Sequence, residues 1–171
     1  GRVPGRALTR VHVDGEEDRH HARLVHRDLE DGMPAPIVEP RLLKLALFNV
    51  LQNAIDAMKR ATDIEPGAGV ITVVARYFPD DTRFEIAVRD NGPGIRDAAG
   101  RMMSTSETQS IFDYGYSTKG DTGEGLGLNW VKTIMAEFHD GGVRAENLAG
   151  GGAATGRGGT PRAAWKTTAS A

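Results

Sequence analysis

An α/β fold of the α+β kind is predicted by three features of the sequence. One long helix pattern is apolar almost all the way round, two β-rich runs follow it closely enough to form a hairpin, and a second helix pattern leads into a further strand. The chain's 171 residues suit about one domain with a real core. With 39% hydrophobic and 26% charged residues, and Lys plus Arg at 21 against Asp plus Glu at 23, nothing in the charge balance asks for nucleic acid or an anionic membrane. The absence of cysteine excludes a disulfide framework, thiolate zinc sites and a cysteine nucleophile, and is compatible with a reducing compartment. No apolar run approaches the roughly 20 residues of a membrane span, and no signal-peptide pattern opens the chain, so any membrane contact of the full protein is expected elsewhere.

Taken in order, residues 1–21 read as an opening segment rich in Arg, His and acids, with a short alternating stretch at Thr9 to Val13. Ala22 to Leu29 alternates weakly as a strand would. Pro34, Pro36 and Pro40 then punctuate an extended connection, and Pro40 suits the first turn of a helix. Arg41 to Arg60 carries apolar residues on nearly every side and is expected to be a buried helix. Val70 to Phe78 and Arg83 to Val88, separated by Pro79-Asp80-Asp81-Thr82, predict an antiparallel hairpin. Arg96 to Ser110 offers only Met102 and Met103 as bulky anchors, which predicts a mobile loop or lid. A helix is expected from the Gly123 to Gly127 region to Phe138, stopped by Gly141-Gly142, with a last clear strand at Val143 to Leu148. Ala163 to Ala171 shows little alternation, so residues 161–171 read as a tail and the domain as 22–160.

Three constellations carry chemistry. Asn49, Asn53 and Asp56 form one polar stripe on the buried helix. Buried amides need partners, which neighbouring backbone, a ligand or a hydrated metal ion supplies. Asp90-Asn91-Gly92-Pro93-Gly94 follows a strand. It reads either as a tight turn capped by an acid, or as a carboxylate that accepts from a ligand amino group beside glycines that let a flat ring lie on bare backbone. Gly123-Glu124-Gly125-Leu126-Gly127 leads into a helix, where free amides and the positive end of the helix dipole make an anion cradle. It is not a dinucleotide fingerprint, because Trp130 takes the third glycine position, nor a P-loop, because no Gly-Lys-Ser/Thr follows. His26-Arg27-Asp28-Leu29 imitates a protein-kinase catalytic loop, but Met33 stands where the metal-binding Asn belongs and too few residues precede it. His12, His20, His21 and His26 lack metal-ligand spacing.

In sequence order, Asn49-Val50-Leu51-Gln52-Asn53-Ala54, Asp90-Asn91-Gly92-Pro93-Gly94, Ile111-Phe112 with Tyr116-Ser117-Thr118-Lys119, and Gly123-Glu124-Gly125-Leu126-Gly127-Leu128 resemble four successive boxes of one family. This is the catalytic ATP-binding domain of sensor histidine kinases, in the superfamily that also holds gyrase, the mismatch-repair ATPases and the ninety-kilodalton heat-shock chaperone. The match covers about Ile37 to Asn147. The resemblance implies a two-layer sandwich of the Bergerat type: a mixed, mostly antiparallel sheet, helices on one face, and ATP lying between the helices and a lid. It implies that Asn53 coordinates Mg²⁺, with Asn49 and Asp56 on the same helix face, and that Asp90 reads the adenine amino group. Gly92, Gly94 and Ile95 would line the ring. Gly123, Gly125, Leu126, Gly127 and Leu128 would receive phosphate at the helix start, while Thr118 and Lys119 would contact the nucleotide from the lid and Phe112 would anchor that lid.

In members that hydrolyse ATP, the position of Asn49 is a glutamate that activates water. An amide cannot be that base, which favours transfer to a protein acceptor. None of the five histidines stands in the His-Asp/Glu-x-x-x-Pro context of a phosphoacceptor helix. The implied partners are therefore a histidine-bearing dimerisation domain, upstream in cis or in trans, and a response-regulator receiver domain, with no nucleic acid or membrane contact by this domain and a cytoplasmic location. Two rival readings share the fold: a serine kinase of the anti-sigma-factor type, and a non-catalytic interaction module. Two departures from the pattern fall near the ends of the lid and the domain. Arg96 to Ser110 is longer than the family's usual link, and Gly150-Gly151-Gly152-Ala153-Ala154-Thr155 has Thr where the closing-strand box carries an aromatic.

Overall fold

The computed structural model describes residues 7–10, 24–60, 68–117, 125–147 and 163–170. Their strands form one six-stranded sheet, with β1 (Ala7–Arg10), β2 (Leu24–Leu29), β3 (Val70–Phe78), β4 (Arg83–Asp90), β5 (Gly142–Asn147) and β6 (Ala163–Ser170) in the order β1-β2-β3-β4-β6-β5. Only β2 and β3 run parallel. That pair is joined through α1 (Pro40–Arg60), the long crossover that parallel neighbours need. The second helix, α2 (Gly127–Phe138), packs against α1 and β5.

Helix α1 begins where Glu39 caps it: the Glu39 carboxylate accepts from Arg41 N at 3.1 Å and its carbonyl from Leu43 N at 3.0 Å. The imidazole of buried His139, just past α2, accepts from Glu39 N at 3.2 Å through Nε2, while its Nδ1 stands 3.1 Å from the Ile134 carbonyl. These bonds put Nδ1 in the donor role and fix the start of α1 beside the end of α2. Ala46, Val50, Ala54 and Met58, four residues apart, form the buried stripe, packed with Ile71 and Val88 of the sheet and Val131, Ile134 and Met135 of α2. The sequence predicted a buried helix, apolar on nearly every side. Leu45 and Phe48 remain exposed instead, because α1 is covered by the sheet on one side and α2 on another, and they lie on the face that neither reaches.

The hairpin is in the predicted place, with Phe78 opposite Arg83 and Ile71 opposite Asp90. Pro79–Asp81 and Thr82, at φ 48°, make the turn. Helix α2 ends at Phe138, with Asp140 at φ 45° and Gly141 N donating to Met135 O, so the chain turns back before the glycine pair is spent.

Two expectations are corrected. Arg96 to Ser110 is anchored: an Arg96–Met102 bridge and a 3₁₀ turn at Glu107–Phe112 hold it, Met103, Thr108 and Phe112 are buried, and Thr108 Oγ1 lies 2.6 Å from the Ala145 carbonyl. A polar side chain thus supplies the anchor that the apolar pattern lacked. Ala163–Ser170 is a strand rather than a tail, lying between β4 and β5 with Trp165 opposite both Val88 and Ala145. Backbone pairing on both sides specifies it where local alternation does not.

Candidate functional site

A cleft of about 110 Å³ opens between α1, the end of β4, the loop that follows it, and the start of α2. Asn53, Asp90, Gly94, Ile95 and Leu128, all singled out from the sequence, line it, together with Val50, Ala54, Ala57, Val88, Ile111 and Ala145. The walls are apolar and the polar groups few, which suits a flat, partly apolar ligand held by a small number of directed contacts.

Asp90 is the last residue of β4, and its Oδ1 accepts from Gly92 N at 2.8 Å. Burial pushes its carboxyl from 3.8 up to about 6, and the Gly92 amide bond opposes that shift. A Cβ at residue 92 would stand 2.6 Å from Asp90 Oδ1, so only glycine lets the chain turn this tightly around the carboxylate. Asn91 staples the strand end to its neighbour by accepting from Val70 N at 2.7 Å and donating to Ala68 O at 2.8 Å. Gly94 has φ +77°.

On α1, Asn49 donates to Leu45 O and Asn53 donates to Asn49 O, both at 2.9 Å, so the amide nitrogens are satisfied by the helix's own backbone. The Asn53 carbonyl oxygen remains as an acceptor at the cleft. Asp56 accepts from Gln52 and is not among the lining residues. Asn49 Oδ1 lies against Gly127, the first residue of α2. Leu126 precedes that helix with no side-chain cap, and no acidic residue occupies the first turn, which leaves the first amides of α2 without a carboxylate competitor. Gly125, at φ +65°, packs against the backbone of Gly115 and Tyr116. Phe112 is core, and Asn129 of α2 donates to its carbonyl at 3.1 Å. Thr118, Lys119 and Gly123 lie outside the described residues.

The sequence reading missed Asn147, at the end of β5. Its side chain accepts from Ile95 N at 2.7 Å and donates to Ile95 O at 3.0 Å and Met103 O at 2.8 Å. No local pattern marks it, because its partners lie more than forty residues away. A larger, shallower hollow of about 480 Å³, lined by Asp97, Met103, Glu107 and Tyr116 among others, holds neither Asp90 nor the α1 amides. Its acids are engaged: Arg101 pairs with both Asp97 and Glu107, and holds the Glu107 carboxyl down at about 2.

An apolar cleft with one desolvated carboxylate and Gly94 in its wall, next to a helix start without a side-chain cap, has the features that suit a nucleotide. Residues 38–155 match the family of histidine kinase-, DNA gyrase B-, and HSP90-like ATPases, and the chain belongs to it. It is an ATP-binding domain of that family, similar to those of sensor histidine kinases. Curated relatives include the sensor histidine kinase GlnK of Bacillus subtilis, 28% identical over 74% of this chain and 23% of that protein. The sensor protein CreC of Escherichia coli is 35% identical over 67% and 21%, and AfsQ2 of Streptomyces coelicolor is 33% identical over 75% and 21%. The chain thus spans about a fifth of the length of these relatives. The catalytic domain of histidine kinase ThkA has the same fold, with a TM-score of 0.59 at 20% identity over 84% of this chain and 76% of that one. ThkA has also been solved in complex with the response regulator TrrA, where the TM-score is 0.60 at 18% identity over 90% of this chain and 36% of that one.

Proposed function

We propose that this domain presents the terminal phosphate of Mg-ATP to a histidine on a separate dimerisation domain, and that a response-regulator aspartate is the next acceptor. The observation that carries the reading is the Asp90 carboxylate, desolvated in an apolar cleft that Gly94 helps to line. Such a group gains most from a ligand that donates to it, as the adenine amino group does.

In this reading Asp90 selects adenine, Gly92, Gly94 and Ile95 receive the ring, and the start of α2 from Gly125 to Leu128 receives phosphate. Gly123, Thr118 and Lys119 add contacts from the connecting segment, and Phe112 holds the base of that segment. Among the described residues no cluster of three or more His, Asp or Glu could hold a metal ion. The donor set fits Mg²⁺ nonetheless, because that ion keeps most of its water and takes its other ligands from phosphates, needing from Asn53 a single neutral oxygen. When bound, it neutralises charge on the phosphates. Asn49, with Asp56 one turn beyond Asn53, supports the phosphate side of the helix. In the transfer, the bond between the γ-phosphorus and the β,γ-bridging oxygen breaks as a phosphorus–nitrogen bond forms to an imidazole, whose proton is released. An amide at residue 49 supplies no base for water, so positioning of the acceptor decides the outcome. In this reading the domain lies in the cytoplasm; among the described residues no helix is long and apolar enough to cross a membrane.

The test is incubation of the domain with γ-labelled ATP and a histidine-bearing dimerisation domain, followed by acid and alkali treatment of the product. An acid-labile, alkali-stable phosphoryl group supports histidine transfer. An acid-stable group on serine supports the serine-kinase reading, and no transfer in the presence of demonstrated ATP binding removes the kinase assignment.

A further inference from the structure

Asn147 stands at the end of β5, two residues beyond Ala145 and on the same face of the strand. Its single acceptor and both its donors are used, and every partner belongs to the segment that follows the adenine-side glycines: Ile95 N, Ile95 O and Met103 O. Ile95 O also accepts from Met103 N at 3.0 Å, so Ile95, Met103 and Asn147 form one closed node. Gly94 presses on it, since a Cβ there would stand 2.9 Å from both Asn147 Oδ1 and Met102 Sδ. Gly94, Ile95 and Ala145 all line the cleft, whereas Asn147 itself does not.

We propose that Asn147 is a positioning residue for nucleotide selection: by gripping both backbone groups of Ile95, it sets where the Gly94–Ile95 wall stands and hence the width of the slot for the base. The inference rests on the nucleotide-binding reading above and adds to it a residue outside the cleft. A carboxamide is required because the node asks for one acceptor and two donors in a side chain of this length. Aspartate would keep the acceptor for Ile95 N but set charge against two carbonyl oxygens, and alanine would leave Ile95 N and Met103 O unmet and Ile95 O with Met103 N alone.

The test measures ADP and GDP affinity by calorimetry for the parent chain, Asn147→Ala, Asn147→Asp and, as a control, His139→Ala, at a temperature where circular dichroism shows each folded. Both Asn147 variants are expected to bind ADP at least tenfold more weakly and to lose most of the parent's preference for ADP over GDP. His139→Ala, which removes a buried hydrogen-bonded side chain away from the cleft, is expected to melt lower with ADP affinity unchanged. If the parent binds ADP and either folded Asn147 variant keeps its affinity and base preference within threefold, the positioning role is overturned while the nucleotide reading stands. If neither Asn147 variant folds, the residue belongs to the framework and the proposal is likewise overturned. If the parent itself binds no nucleotide, the underlying reading falls first.

Discussion

The side-chain oxygen of Asn49 and the bare Cα of Gly127 meet: a Cβ on residue 127 would stand 2.9 Å from Asn49 Oδ1. One contact therefore joins the polar stripe of α1 to the first residue of α2, the two elements expected to share the phosphates. Asn49 is not free to swing aside without cost, because its Nδ2 is held by Leu45 O.

Replacing glycine by alanine inside a helix ordinarily gains about 1 kcal/mol. Gly127→Ala is expected to do the reverse here, losing about 1 kcal/mol or more to overpacking. Asn49→Ala in the same chain should recover most of the loss. Urea titration of the two single variants and the double variant checks this; a Gly127→Ala chain more stable than the parent contradicts it.

Asp90 makes stability depend on pH in a stated direction. Burial holds its folded carboxyl at about 6 against an ordinary aspartate value of 3.8, so the folded chain keeps a proton that the unfolded chain releases between those values. Stability is greatest below 3.8 as far as this group is concerned, falls as pH rises through that window, and levels off above about 6. The full shift corresponds to at most about 3 kcal/mol. Asp90→Asn should remove this slope and raise the melting temperature at pH 7.5 while abolishing preference for ATP over GTP. A variant that keeps the preference removes Asp90 from the adenine.

Nucleotide affinity should show the opposite pH trend. A donor from the base favours the ionised carboxylate, so affinity is expected to be flat above about 6 and to fall up to tenfold per pH unit below it, with proton release on binding near pH 6. Calorimetry in buffers of different ionisation enthalpy reads that proton directly.

Asn53→Ala should weaken Mg-ATP far more than metal-free ATP, by about tenfold or more on the metal complex, because it deletes the one neutral oxygen assigned to the ion. Equal losses for the two forms would take Asn53 off the metal. The helix itself should tolerate the change, since the lost bond is a return to Asn49 O within the same helix.

His139→Ala is a prediction about the frame. It removes the partner of Glu39 N and of the Ile134 carbonyl and leaves a hole between the ends of the two helices, at an expected cost of about 2–3 kcal/mol. Chemical denaturation measures it; a loss under 0.5 kcal/mol would mean that the imidazole is not holding the helix ends together.

The helices and the hairpin were legible because their information is local: the fourfold spacing of Ala46, Val50, Ala54 and Met58, and two β-branched runs around a Pro-Asp turn, are readable within a short window. Asp90, Gly94, Asn53 and Leu128 were likewise marked by short motifs, and the fold brings all four to one cleft. β6 was not legible, since Ala, Thr and Lys in no clear alternation become a strand through pairing with β4 and β5 on either side. The same holds for Thr108 and Asn147, whose worth lies in bonds to carbonyls and amides that are distant in sequence. Single polar residues of this kind have no periodicity to betray them.

The central claim is a Mg-dependent adenine nucleotide site built around Asp90. Its most direct test is calorimetric titration of the folded chain with a non-hydrolysable ATP analogue, with and without Mg²⁺, alongside Asp90→Asn. Magnesium-dependent binding at one site per chain, lost in Asp90→Asn, is the predicted result. A chain that melts cooperatively yet binds no analogue in either condition would contradict the account.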